Sequence, residues 1–209
     1  MLALIKLGIH NIGALVKIYD IIAMLNSFVL RIGKSVAWVS LALMVFVILL
    51  QVFFRYVMNS ALPWPDEAAR FLMLWMTGLI APLAYRSGGF VAIEMLGSAL
   101  PKRIGSIFGL VLLLLSALVL FFAIKLGWAH TMGFGGNFDS SSLWLPFDWL
   151  GFEAIKVKLR YMYASLLVCV VLLLSVNSEL VIRTILSIIR PDMDLPDHSN
   201  DIEINERAD

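Results

Sequence analysis

Four stretches of the chain, 35–54, 71–85, 104–124 and 161–178, contain no Asp, Glu, Lys or Arg and are dominated by aliphatic and aromatic side chains. A helix rises about 1.5 Å per residue, so crossing a hydrocarbon core of about 30 Å takes roughly 20 residues. Residues 35–54 and 104–124 meet that length directly. Residues 161–178 meet it once Leu180–Ile182 are added, which sets Glu179 near the headgroups, and 71–85 meets it if the helix starts at Glu67. No water in the bilayer core satisfies backbone groups, so isolated apolar spans of this length are helices. The pattern predicts an all-α integral membrane protein with transmembrane helices at about 35–56, 66–86, 103–126 and 160–182.

Residues 1–34 show a different pattern. Lys6, His10, Gly13, Lys17, Asp20, Met24, Ser27, Arg31 and Lys34 follow alternating steps of four and three. Apart from Met24 they make one narrow polar or small stripe along a helix, with Leu, Ile, Val and Phe prominent elsewhere. Such a helix lies in the membrane interface or against a partner. The four spans are thus expected to follow an N-terminal amphipathic interfacial helix, 1–34, with the bundle over 35–189. The alternative is a fifth, poorly formed span through 18–30, interrupted by Asp20 and Asn26. A compact apolar core followed by a small-residue cleavage site, the mark of a signal peptide, is not seen.

Composition narrows the function classes. The chain is 61% hydrophobic and 15% charged, against about 45–50% and about 25% in soluble domains. That excludes a soluble globular enzyme and a disordered chain. The net charge of +1 hides an asymmetry, because residues 191–209 carry Asp192, Asp194, Asp197, Asp201, Glu203, Glu206 and Asp209 against Arg207. Residues 190–209 are therefore expected to be an acidic, disordered cytoplasmic tail. Topology accounts for the basic charge before the tail, so no nucleic acid is implied as a partner; the lipid bilayer is. Cys169, the single cysteine, rules out an internal disulfide and a cysteine-based metal site. His10, His130 and His198 are placed outside the predicted spans, whereas a haem b subunit needs axial histidines within its helices. No cofactor, metal site or catalytic motif is expected, and the chain is not read as an enzyme.

Lysine and arginine orient the bundle. Ten of the sixteen fall in the N-terminal segment, the connection between spans two and three, and the C-terminal end; six fall on the other side. Both termini are expected in the cytoplasm, and Trp64, Trp128, Trp144 and Trp149 then fall at or beyond the outer interface. The outer connection 127–160 starts rich in Gly and Ser, and its later part, Trp149–Arg160, is expected as a short surface helix.

The segment from Gln51 to Glu94 is the richest in detail. Arg55 and Tyr56 end the first span, and Asn59 can terminate its helix. Pro65 suits a first helical position, with Asp66 and Glu67 in the first turn, where the positive helix end favours acids. Arg55 is expected to pair with Glu67 or Asp66 across the turn, joined by Arg70, since a lone charge near hydrocarbon is costly. The plainest role is a charge cluster that fixes the hairpin, ahead of partner docking or contact with a moving solute. Pro82 suggests a kink. Arg86-Ser-Gly-Gly is a helix stop, with Arg86 complementing the negative helix end and Gly88 or Gly89 as the left-handed cap.

These residues carry a resemblance. The series Gln51, Arg55, Tyr56, Asn59, then Trp64, Asp66, Glu67, Arg70 and Trp75, then Arg86, Gly88 and Glu94 is similar to the small membrane subunit of TRAP (tripartite ATP-independent periplasmic) transporters, the DctQ-like family. The likeness is densest over roughly 45 residues. It implies a bacterial inner-membrane protein that braces a large multi-span TRAP membrane subunit, which carries the substrate and sodium sites and is fed by a periplasmic substrate-binding protein. Organic acids are the substrate class so implied. Arg55, Tyr56, Asn59, Trp64, Asp66, Glu67, Arg70, Trp75, Arg86, Gly88 and Glu94 become candidate structural or partner-interface positions. The residues agree from their own side, since uncharged spans offer no acid–base chain and no broken helix pair to hold an ion. The rival class is the membrane-anchor subunit of a membrane-bound enzyme complex; a small homo-oligomeric channel would want a polar face, and the interior of span one offers only Ser40 and Gln51 beyond Ser35 at its start.

Overall fold

The computed structural model describes residues 2–88, 102–145 and 155–189, with side chains over 15–88, 104–143 and 156–189. Helix α1 runs over Leu2–Tyr56, α2 over Pro65–Arg86, α3 over Lys102–Met132 and α4 over Arg160–Ile189, with a 3-10 turn at Phe134–Asn137 and two short strands, β1 at Asp139–Leu145 and β2 at Ile155–Lys158. Four helices are long and apolar enough to cross a membrane, as the charge-free stretches predict.

The N-terminal segment is not separated from the first span. α1 is a single helix of 55 residues, a path of about 80 Å against the about 40–45 Å of a bilayer with its headgroups. Its buried positions, Tyr19, Ala23, Asn26, Leu30, Gly33, Ala37 and Ser40, repeat at steps of four and three. That 3.5-residue period is the seam of left-handed helix packing. The predicted polar stripe Asp20, Met24, Ser27, Arg31 and Lys34 lies one residue further along, flanking the seam. The apolar positions Ile21, Leu25, Phe28, Val29 and Ile32 are exposed.

Helix ends follow the local sequence. α1 stops at Tyr56, and Asn59 takes a positive φ of 46°. Pro65 opens α2, where its missing N–H costs no bond, and the Trp64 carbonyl accepts from Ala68 N–H at 3.0 Å. α2 carries Pro82 inside it and ends at Arg86, with Gly88 at φ 78°. The expected surface helix over 149–160 is not formed where the structure describes it: Ile155–Lys158 is a strand, antiparallel to Asp139–Leu145. α3 also continues to Met132, so His130 lies on its last turn rather than beyond it, with Nδ1 2.9 Å from the Leu126 carbonyl. Gly89–Pro101, 146–154 and 190–209, including Glu94, Gly89, Trp149 and the acidic tail, lie outside the described residues.

The chain divides into two compact units. One comprises 1–31, 82–121 and 172–209; the other comprises 32–81 and 122–171. In the first, Tyr19, Ala23 and Leu186 form one buried cluster, and Leu30 and Val176 form a second, flanked by Leu83 and Leu180. In the second, small residues allow close approach. A Cβ on Gly78 would lie 2.9 Å from the Ser165 carbonyl oxygen, and one on Gly127 would lie 3.3 Å from Leu167.

Candidate functional site

In the first unit, α1, α2 and α4 bring together a polar cluster. The Arg86 guanidinium, at the C-terminal end of α2, donates to Glu179 Oε1 of α4 from Nη2 at 2.7 Å and from Nε at 3.1 Å. Nη1 donates to Ser27 Oγ at 2.8 Å and Nη2 to the Ala23 carbonyl at 3.2 Å, both on α1. The second carboxylate oxygen of Glu179 accepts from Asn26 Nδ2 at 2.7 Å, and Asn26 Oδ1 accepts from Ser175 Oγ at 2.6 Å. Only 2% and 4% of the Arg86 and Glu179 side chains are exposed. All three guanidinium nitrogens donate and both carboxylate oxygens accept. A buried pair is tolerated when its remaining hydrogen-bonding capacity is met in this way.

A second polar group sits in the same unit. Asn177, fully buried, accepts at Oδ1 from Tyr85 O–H at 2.5 Å and from Ser116 Oγ at 2.9 Å, and donates from Nδ2 to the Leu113 carbonyl at 3.1 Å. It ties α2, α3 and α4 together. In both networks the polar side chains bond one another across helices, and the Arg86–Glu179 cluster is enclosed. Their chemistry is that of interhelical attachment.

The other unit holds Glu67. Its Oε2 accepts from Ser142 N–H at 2.7 Å, Ser142 Oγ at 2.6 Å and Ser141 Oγ at 3.3 Å, which pins β1 to the first turn of α2. The expected ion pair between Arg55 and Glu67 or Asp66 is not formed. The Arg55 guanidinium lies over the neighbouring Tyr56 ring, 5.9 Å from its centroid, while serine hydroxyls and a backbone N–H occupy Glu67. Arg55, Asp66 and Arg70 are exposed, where water solvates a charge at no cost in partners. Arg160 donates to Asn137 Oδ1, and Gly136 is buried with its Cα so close to the Thr131 carbonyl that a Cβ would sit 2.4 Å from that oxygen. A Cβ on Gly133 would likewise crowd the Ala129 carbonyl, so these two glycines are packing requirements, whereas a Cβ on Gly135 would meet nothing within 4 Å.

The candidate positions therefore fall into separate groups. Arg86 is central to a buried cluster, Glu67 anchors the hairpin, and Asn59 and Gly88 supply left-handed turns. Trp64 provides the first acceptor of α2. Trp75 packs at 6.3 Å from the Phe71 ring and holds a buried Nε1–H with no partner among the described residues. Sequence reasoning missed Asn26, Ser27, Ser175, Asn177 and Glu179. The available signal was the presence of two amides and an acid within or beside apolar helices, where such groups are expensive unless paired. Among the described residues no cluster of three His, Cys, Asp or Glu could hold a metal ion.

Comparison with known proteins matches residues 44–186 to one family model, described as "Tripartite ATP-independent periplasmic transporters, DctQ component". No match was found among curated proteins or among solved structures.

Proposed function

The chain belongs to the DctQ family of TRAP transporter components, and from that premise we propose that it is the stationary brace of the transporter. It holds a large multi-span membrane subunit in the bilayer during sodium-coupled uptake of an organic acid delivered by a periplasmic substrate-binding protein. The protein sits in the bacterial inner membrane with both termini in the cytoplasm, and the exposed candidate positions Arg55, Tyr56 and Arg70, together with the half-buried Trp75, serve the partner interface.

The observation that most supports this reading is the saturation of the Arg86–Glu179 cluster. Ionisable groups inside membrane segments mark solute or proton pathways when they face a cavity. Here the pair is enclosed, neutral as a whole, and bonded to three helices. Its groups are committed to holding α1, α2 and α4 together, as a rigid support requires. A moving carrier needs its polar groups open to a solute on alternate faces.

The test is reconstitution. Tagged chain purified from its native membrane should bring down one large multi-span protein. Proteoliposomes with both membrane proteins and the binding protein should take up solute under an inward sodium gradient, and liposomes with this chain alone should not. Robust uptake by the chain alone would overturn the reading.

A further inference from the structure

α2 is the least apolar of the four spanning helices. Its charge-free stretch, 71–85, holds six Leu, Ile, Val or Phe against fifteen in the 104–124 stretch of α3, and it also carries Gly78 and Pro82. That stretch rises about 22 Å against a hydrocarbon core of about 30 Å. Arg70 or Arg86 is therefore drawn toward hydrocarbon when α2 crosses. On insertion scales one such charge within a span offsets the gain from several Leu or Ile residues. α2 thus has the smallest apolar surplus and a charge to carry.

Both ends of α2 are secured by segments that follow it in the chain. At its start, Glu67 accepts from Ser141 and Ser142 of β1. At its end, Arg86 pairs with Glu179 of α4. These partners come 74 to 93 residues later. We propose that α2 is a conditional span, one that the bilayer alone holds weakly and that β1 and α4 lock in place when they fold against it. The Arg86 contact is the stronger lock. Alone, Arg86 is a charge beside hydrocarbon. Bonded to Glu179, Ser27 and the Ala23 carbonyl, it becomes part of a neutral, enclosed group. Removing Glu179 returns the cost of the charge to the span least able to offset it. α3, with its longer apolar run, needs no such lock. The device belongs to this chain alone and is read without transport.

The test uses the full chain in the membranes of spheroplasts, with Cys169→Ala so that a single introduced thiol reports. Thr77→Cys lies on the exposed face of α2 within its charge-free stretch, and Leu118→Cys lies on the exposed face of α3. A membrane-permeant maleimide reacts with a thiol in water and not in hydrocarbon, so both positions should be protected in the otherwise unaltered chain. Glu179→Leu should raise the labelling rate of Thr77→Cys about tenfold or more, a factor smaller than the cost of one unpaired charge in a membrane segment allows. Leu118→Cys should stay protected in the same variant. Arg86→Leu combined with Glu179→Leu should restore protection of Thr77→Cys, because α2 then carries no charge at that end. Protection of Thr77→Cys in Glu179→Leu would show that α2 holds itself in the bilayer and would overturn the proposal. So would equal exposure of both thiols, which is loss of the whole bundle, and so would exposure that persists in the double leucine variant, which traces the effect to lost contacts and not to the charge.

Discussion

Arg86 and Glu179, with 2% and 4% of their side chains exposed, bond each other, and Asn26, Ser27 and the Ala23 carbonyl take up the remaining donors and acceptors. Removing one member of a buried pair leaves an uncompensated charge and costs about 3–5 kcal/mol, while replacing both by apolar groups is far milder. Arg86→Leu and Glu179→Leu should each lower the melting midpoint of the purified chain strongly, and the double variant should melt well above either single one. Losses that simply add in the double variant would show that the two residues act independently. Asn26→Leu removes bonds to both Glu179 and Ser175 and should cost about 1–3 kcal/mol. None of this pairing is local. Arg86 and Glu179 are 93 residues apart, and Asn26 and Glu179 are 153 apart. Read along the chain, Arg86 is a basic residue at a helix end, Asn26 a flaw in an apolar run and Glu179 a headgroup acid. Only the fold brings them to one place.

At the scale of helices, periodicity and end signals were legible and facing was not. The residues that set Asn59, Pro65 and Gly88 at helix ends act through their own backbone preferences, so their roles are visible locally. The four-and-three spacing in α1 is also real, but the buried seam Tyr19, Ala23, Asn26, Leu30 lies beside the polar stripe. In water an apolar face points inward. In lipid the outward face is equally apolar, and close packing selects small residues and paired polar groups instead. Gly78 shows the consequence: its missing side chain makes room for the Ser165 carbonyl, which a Cβ would approach to 2.9 Å. Gly78→Leu should force α2 and α4 apart and sharply reduce the yield of folded protein. Gly109→Ala places a methyl in open space and removes a flexible helix residue, so it should leave melting unchanged or raise it by about 0.5–1 kcal/mol of stability. Comparable damage from both glycine variants would refute the packing account. The pairing of β1 with β2 was not legible for a related reason: β1 is held through Ser141 and Ser142 by Glu67, over 70 residues away.

For the whole molecule the open question is which way the bundle lies in the membrane, and the sequence supplies a testable bias. Ten basic residues against six favour one side for both termini, and positive residues are retained in the cytoplasm. The hairpin at Asp139–Lys158 then belongs to the periplasmic side. Cysteine labelling can decide this cleanly because the single native thiol, Cys169, is buried and should give little background. Ser141 is exposed and makes the longest of the three contacts to Glu67, at 3.3 Å, so Ser141→Cys keeps both Ser142 bonds to that carboxylate. A membrane-impermeant maleimide added to intact spheroplasts should label Ser141→Cys fully, and should label a cysteine appended after Asp209 only once the membrane is broken. The reverse pattern would invert the orientation, place the hairpin in the cytoplasm and remove it from reach of a periplasmic binding protein. It would leave the buried Arg86–Glu179 attachment untouched, since that cluster depends on which helices meet and not on which side they face.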